Sequence, residues 1–210
     1  MTSTSSSPAT GSGSPARHIG ILLFDGVEEL DAVGPWEVLA HWTQTHPEDG
    51  YDVSFLSRDG ESVTAAKGLV LGAHRSIGDG PALEVLVHPG GRGTRRLMRE
   101  PQHLQWIRDQ RRSVPLMASV CTGSLVYAAA GLLRGRPATT YWGAVDELCA
   151  ADPTVQVRDA ERWVDDGDIV TSAGVSAGID MALHLVDRLA GSERARETRR
   201  GIQYDPEPPV

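Results

Sequence analysis

One cysteine stands where a thiol could act as a nucleophile. The stretch Val114 to Leu133 reads VPLMASVCTGSLVYAAAGLL. Its first seven residues are almost all apolar with valine at each end, which predicts a strand buried on both faces. Cys121 follows, and Thr122-Gly123-Ser124 opens an Ala/Leu-rich run, Leu125 to Leu133, of buried-helix character. At such a hinge, unpaired backbone N–H groups and the positive end of the helix dipole face the sulfur, and both favour thiolate over thiol. The arrangement is that of a nucleophile elbow with Cys in place of Ser and small residues around the sharp turn. A lone cysteine is more commonly a packing residue, but the order strand, Cys, Thr-Gly-Ser, helix weights the reading toward a nucleophile.

Two other segments offer groups that could work with a thiolate. His18 to Phe24 predicts a first buried strand, followed by an Asp25-Gly26 turn. Val27, Leu30, Val33, Val38, Leu39 and Trp42 then fall near helical spacing, with an interruption expected at Gly34-Pro35. Glu28 and Glu29 in the first turn complement the helix dipole. Asp31, between Leu30 and Ala32-Val33, is expected to point inward, where an acid needs a partner or a job. Glu84 to His88 predicts another buried strand, ending in Pro89-Gly90-Gly91-Arg92-Gly93. Bare amides in such a loop can cradle an oxyanion or a phosphate, although Pro-Gly-Gly is also an ordinary turn. The loop lacks the glycine order of a dinucleotide site and the Gly-Lys-Ser/Thr of a P-loop.

The remaining pattern must position these groups. Tyr51 to Ser57 predicts a strand near an edge, and Gly68 to Ala73 a strand or hairpin arm. Thr94 to Met98 and Gln102 to Arg112 predict helices, the second begun by Pro101, with Leu104, Trp106 and Ile107 inward and the arginines solvated. Pro137 to Thr140 predicts a short strand, and Trp142 to Ala150 a helix on which Cys149 packs inward. Val155 to Val164 and Asp168 to Ser172 pair across an Asp165-Asp166-Gly167 turn. Met181 to Leu189 and Glu193 to Arg200 predict the last helices, Ser176 an N-cap, and Tyr204 to Pro209 an extended end. Alternating strands and helices imply an α/β fold: a mostly parallel sheet covered on both faces, with its site at the carboxyl ends of the strands. Asp31, Gly90-Gly91 and Cys121 each follow a different predicted strand.

The bulk properties narrow the function classes. The 210 residues fit one domain over 18–210, preceded by a polar low-complexity tail over 1–17 that is expected to be disordered. Net charge is −8 without a basic stripe, so no nucleic-acid partner is expected. No apolar run reaches the roughly 18 residues of a membrane span, and no secretory signal opens the chain. Two cysteines without a CxxC or HxxH pattern point to a reducing, cytoplasmic setting and to no metal. His41, His46, His74, His103 and His184 lack ligand-like spacing, and His88, next to Pro89-Gly90-Gly91, is assigned no role.

Four segments, ILLFDGVEELDAVGPWEVL, EVLVHPGGRG, ASVCTGSLVYAAAGLLRGRPATTYW and SAGVSAGIDMALHLV, resemble the DJ-1/PfpI (ThiJ/PfpI) superfamily in that order. The Ser-Val-Cys-Thr-Gly-Ser elbow, the Leu-Asp-x-x-Gly-Pro segment and the Tyr-Asp-Pro-Glu-Pro-Pro end resemble its isonitrile (isocyanide) hydratase branch. The resemblance implies a flavodoxin-like three-layer sandwich, a homodimer and no cofactor. It implies Cys121 as nucleophile, Asp31 as acid/base, and Gly91 and Thr122 N–H groups as an oxyanion hole beside Gly90, with a small-molecule substrate. A similar domain fronts AraC-type regulators, and the short stretch after this domain is not expected to hold their helix-turn-helix region. Thr122 stands where protease-like relatives have His, which counts against a peptidase. Tyr141 stands where relatives often have His, which weakens a glyoxalase-type hydration of a reactive carbonyl. Tyr141 and Trp142 could wall the pocket or pack in the core. A cysteine redox sensor or ligand-binding domain stays open as the non-catalytic alternative.

Overall fold

A computed structural model describes residues 17–205. The tail expected over 1–17 lies outside the described residues apart from Arg17, as does the extended end beyond Asp205. In chain order the elements are β1 (Arg17–Leu22), α1 (Glu29–Thr45), β2 (Tyr51–Ser57), β3 (Val63–Thr64), β4 (Val70–Leu71), β5 (Arg75–Ser76), β6 (Leu83–His88), α2 (Thr94–Leu97), α3 (Pro101–Ser113), β7 (Leu116–Val120), α4 (Gly123–Ala129), β8 (Pro137–Ala138), α5 (Val145–Ala151), β9 (Gln156–Val157), β10 (Trp163–Asp165), β11 (Ile169–Ser172), α6 (Ala177–Ala190) and α7 (Ser192–Gly201).

Seven strands form the main sheet in the order β10-β11-β7-β6-β1-β2-β5. Every neighbouring pair is parallel except β10 and β11. The central strands are apolar without alternation because helices cover both faces: Ile19, Ile21, Val85, Leu86, Val87, Met117, Ala118 and Val120 are all sealed from solvent. Helices α1, α6 and α7 pack together as one layer, and α4 packs with α2, α3 and α5 as the other. The five long parallel strands run β2-β1-β6-β7-β11, the flavodoxin-like order, with its switch point between β1 and β6. No helix among the described residues is long and apolar enough to cross a membrane.

The strand expected over Val155 to Val164 is split into β9, which pairs with β8, and β10, which pairs with β11, and three further details depart from the sequence expectation. Helix α1 runs through Gly34-Pro35 instead of breaking there. Proline forgoes one intrahelical bond, and the dipeptide is used for close approach to α6. A Cβ on Gly34 would stand 3.0 Å from Ile179 Cγ1, and one on Gly178 would stand 3.4 Å from Pro35 Cγ. Helix α4 ends at Ala129 instead of Leu133, with Gly131 beyond it in the left-handed region at φ 82°. Cys149 is exposed, not packed, because the buried position of α5 is Leu148, one residue and about 100° around the helix away.

The α1–α6 crossing also touches β7, since a Cβ on Gly178 would stand 3.0 Å from Val120 Cγ1. Gly178→Leu is therefore expected to cost about 1–3 kcal/mol by overpacking, measured by urea unfolding. Gly178→Ala, whose helix propensity gain of about 1 kcal/mol offsets a tight contact, is expected to be near neutral.

Candidate active site

Four strand ends converge on the sulfur. Cys121 follows β7 at φ 56°, a left-handed conformation that costs a non-glycine residue about 1–3 kcal/mol. The surrounding bonds over-determine it. Its N–H donates to the Ser172 and Ala173 carbonyls at 3.1 and 3.2 Å. Its carbonyl accepts the Ser124 and Thr140 hydroxyls at 3.1 and 3.0 Å. Thr122, the first residue beyond the turn, is buried and leads into α4.

Asp31 comes from the first turn of α1, after β1, and is fully buried while its neighbour Leu30 faces outward. Its Oδ2 accepts the Gly90 N–H at 3.0 Å. Its Oδ1 is sealed from solvent with no hydrogen-bond partner, and Cys121 is the side chain that most favours the charged carboxylate. Gly90 is required at its position: a Cβ there would stand 2.5 Å from Thr122 N and 2.7 Å from Asp31 Oδ2.

The electrostatics differ from those of a bare elbow. Burial raises the Asp31 carboxyl to about 7, against the pull of its hydrogen bonds with Cys121 and Gly90. Burial and then the adjacent Asp31 carboxylate push the Cys121 thiol up to about 12. The N–H groups of Thr122 and Val175 favour the thiolate, as the hinge geometry implied, but they are outweighed. Each group, once ionised, disfavours ionisation of the other, so the pair gives up its first proton well before its second.

The expected oxyanion hole needs correction. The Gly91 N–H is not free: it donates to Thr122 Oγ1 at 2.9 Å. The Gly90 N–H is committed to Asp31. The amides that reach the sulfur are those of Thr122 and Val175. Val175 follows β11 and lies at φ 51°, a costly conformation for a β-branched residue. Its one sequence signal is the Gly174-Val175-Ser176-Ala177-Gly178 run between a strand end and a helix, in which Ser176 alone is expected as an N-cap. Ser176 occupies the N-cap position of α6 without a side-chain cap bond.

Cys121 and Thr122 open onto a cleft of about 790 Å³, whose wall also includes Glu28, Gly91, Tyr141 and Val175. That size suits a small organic ligand. Tyr141 is wedged between two glycines; a Cβ on Gly174 would stand 2.4 Å from its ring and one on Gly143 2.8 Å. Trp142 does not line the cleft and is 78% exposed. Lys67, Arg92 and Arg95 stand at the cleft as well, and sequence reasoning missed all three. Lys67 pairs with Glu28 and Glu29, and Arg95 pairs with Glu147 while its Nη1 donates to the Gly91 carbonyl at 3.3 Å. Glu28 and Glu29 are thus engaged by a lysine from the β3–β4 hairpin. Among the described residues, no group of three His, Cys, Asp or Glu could hold a metal ion.

Comparison with known proteins agrees with this architecture. Residues 17–188 match the DJ-1/PfpI family model. The chain is 40% identical to isonitrile hydratase of Pseudomonas putida over 194 residues, 92% of this chain and 81% of that one. It is 31% identical to the HTH-type transcriptional regulator GbdR of Pseudomonas aeruginosa over 84% of this chain, but spans 48% of the regulator. A crystal structure of a ThiJ/PfpI family protein from Pseudomonas syringae superposes with a TM-score of 0.83 at 29% identity, covering 98% of this chain and 84% of the other. On its sequence match and its fold, the chain belongs to the DJ-1/PfpI family.

Proposed function

We propose that this protein is an isonitrile hydratase, adding water to an isocyanide to give an N-substituted formamide. The observation that carries the reading is the placement of Cys121 on the wall of the cleft with the buried Asp31 carboxyl, held by the Gly90 N–H, acting on its thiol from behind. An isocyanide carbon must receive a nucleophile and a proton at the same atom. A carboxyl and a thiol with one proton between them supply both, because the acid–thiolate form has the same net charge as the carboxylate–thiol form.

In the first step Sγ bonds to the isocyanide carbon while Asp31 delivers its proton there, leaving an enzyme-bound thioimidate and a carboxylate. Asp31 then takes a proton from water as the water oxygen attacks the same carbon, and that proton passes to the substrate nitrogen. The resulting tetrahedral adduct carries a hydroxyl on carbon. As its C–O becomes a carbonyl, the S–C bond breaks, the hydroxyl proton returns to the Asp31–Cys121 pair, and the formamide leaves. The N–H groups of Thr122 and Val175, which point at the sulfur, steady its negative charge on departure. The balance is one water consumed, with the pair restored to one proton, and no cofactor enters it.

A peroxide-sensing cysteine is less well supported, because oxidation proceeds through free thiolate and burial keeps this thiol protonated. Carbonyl hydration uses the same residues and is separated by assaying methylglyoxal beside a small isocyanide. We also propose a homodimer. Leu30 (37% exposed), Leu69 (51%) and Val70 (64%) are exposed apolar side chains on the first turn of α1 and on the hairpin whose Lys67 N–H donates to Glu29.

Cys121→Ala is expected to abolish formamide formation from a small isocyanide, followed by mass spectrometry; retained turnover in that variant ends the proposal. The pH profile of kcat/KM is expected to rise through about pH 7, because below it the pair binds a second proton and the thiolate form is lost. Asp31→Asn is expected to lower kcat by about 10²–10⁴-fold while raising stability. The sign follows from linkage: the folded state holds the Asp31 proton more tightly than the unfolded chain, so ionisation costs stability as pH rises from about 4 to about 7. At pH 8 the Asn variant is expected to gain on the order of 2–4 kcal/mol in urea unfolding. Leu69→Glu is expected to give a monomer by light scattering.

A further inference from the structure

His88 ends β6 and is fully buried, and the chemistry above does not use it. The rings of Phe24, His103 and Tyr127 surround it at centroid distances of 5.4, 5.5 and 5.8 Å, and Ser119 lies beside it in register on β7. Its Nδ1 is 2.8 Å from the Pro89 carbonyl oxygen, and its Nε2 is 3.2 Å from His103 Nε2. A carbonyl oxygen only accepts, so the hydrogen of His88 sits on Nδ1. The neutral ring then accepts at Nε2, and His103 donates from its own Nε2. Burial keeps both rings neutral, moving His88 down to about 3 and His103, beside Arg58 and Arg96, to about 4.

The Pro89 carbonyl is one end of the Pro89–Gly90 peptide group. The other end of that planar, trans unit is the Gly90 N–H, which donates to Asp31 Oδ2 at 3.0 Å. A donor at the oxygen of an amide fixes its plane and strengthens the dipole of its N–H. That plane has no slack on the side of the reacting residues, since even a methyl group on Gly90 would strike Thr122 and Asp31.

We infer that His88 is a positioning residue for Asp31: through one peptide group it aims and polarises the Gly90 N–H that holds the carboxyl beside Cys121, and His103 fixes the tautomer that lets it do so. The chain of contacts is His103 Nε2–H to His88 Nε2, His88 Nδ1–H to Pro89 O, and Gly90 N–H to Asp31 Oδ2. The importance of the inference for catalysis rests on the reading of Asp31 as proton partner; the hydrogen-bond relay itself does not. The charged or titratable groups that bear on Asp31 directly are Cys121, Glu28 and Lys67, and none of them touches His88.

The test follows the Asp31 carboxyl itself, by ¹³Cγ NMR of aspartate-labelled protein against pH, with the resonance assigned by its loss in Asp31→Asn. His88→Leu removes the donor to Pro89; His88→Asn keeps an N–H close to the position of Nδ1. In the parent protein the midpoint is expected near pH 7. In His88→Leu it is expected to rise by about half to one pH unit as the Gly90 hydrogen bond weakens, and in His88→Asn to return toward the parent value. A folded His88→Leu with the parent midpoint overturns the inference, and so does an Asn variant displaced as far as the Leu variant. Should His88→Leu fail to fold, His103→Leu serves in its place, with a smaller rise expected and an unmoved midpoint overturning the relay. No substrate enters the measurement, so its failure is distinct from a failure to hydrate isocyanides.

Discussion

A carboxyl removed from water beside a thiol is the constraint on which the site depends. Taking a charged carboxylate into a dry interior is costly, and a group in that position responds by holding its proton. Asp31 does so, and among the described residues the one hydrogen-bond donor to it is the Gly90 N–H. The carboxyl is therefore neither a salt-bridged structural acid nor a solvated one. Its remaining oxygen stays without a hydrogen-bond partner, and the Cys121 thiol is among the groups that act on the carboxyl. An interior organised for stability alone would place an apolar residue there. The topology explains how the two groups meet: the order of the parallel strands reverses between β1 and β6, so the chain leaving β1 and the chain leaving β6 diverge and open a crevice in which α1, the glycine loop and the elbow face one another.

Two residues with unfavourable backbone angles stand against the sulfur, Cys121 itself and Val175. Each alone would relax. They persist because four hydrogen bonds pin the Cys121 peptide groups, and because the packing of α6 against β7 and α1 through Gly178 holds the segment that carries Val175. Strain at the site is thus carried by contacts that lie outside it, and the small residues Gly34, Gly178, Gly90 and Gly174 are the points where those contacts close.

Much of this was legible in the sequence, and the limits have physical causes. Uninterrupted apolar runs revealed β1, β6 and β7, because strands covered on both faces carry no alternation. The position of Asp31 between apolar neighbours revealed an inward acid, and the hinge after Met117-Ala118-Ser119-Val120 revealed Cys121. Local pattern misread Gly34-Pro35 as a break, because the reason for that dipeptide is the distant Ile179 and Gly178. It placed Cys149 in the interior, where one residue of helical phase decides the outcome. It left out Lys67, Arg95 and Val175, which arrive from segments far along the chain, and it counted the Gly91 amide as free when Thr122 Oγ1 takes it. Side-chain competition for backbone donors depends on three-dimensional placement and leaves no periodic trace.

The thiol shows why the direction of a perturbation cannot be read from one contributor. The hinge places amides on the sulfur, and they do favour thiolate; desolvation and the neighbouring acid act the other way and are larger. At the mouth of the cleft, Lys67 and Arg95 are balanced by Glu28, Glu29 and Glu147, so little cationic charge is left over from these pairs to lower the thiol from a distance. Arg92 also stands at the cleft, but the groups that act on the sulfur are fixed backbone dipoles and one carboxyl. Dipoles held by the fold need no reorganisation when charge appears on the sulfur, whereas mobile surface cations would have to move toward it. A thiol kept neutral at rest, next to the acid with which it shares a proton, becomes nucleophilic only as that proton is transferred, and this ties its reactivity to a ligand able to accept the proton in the cleft.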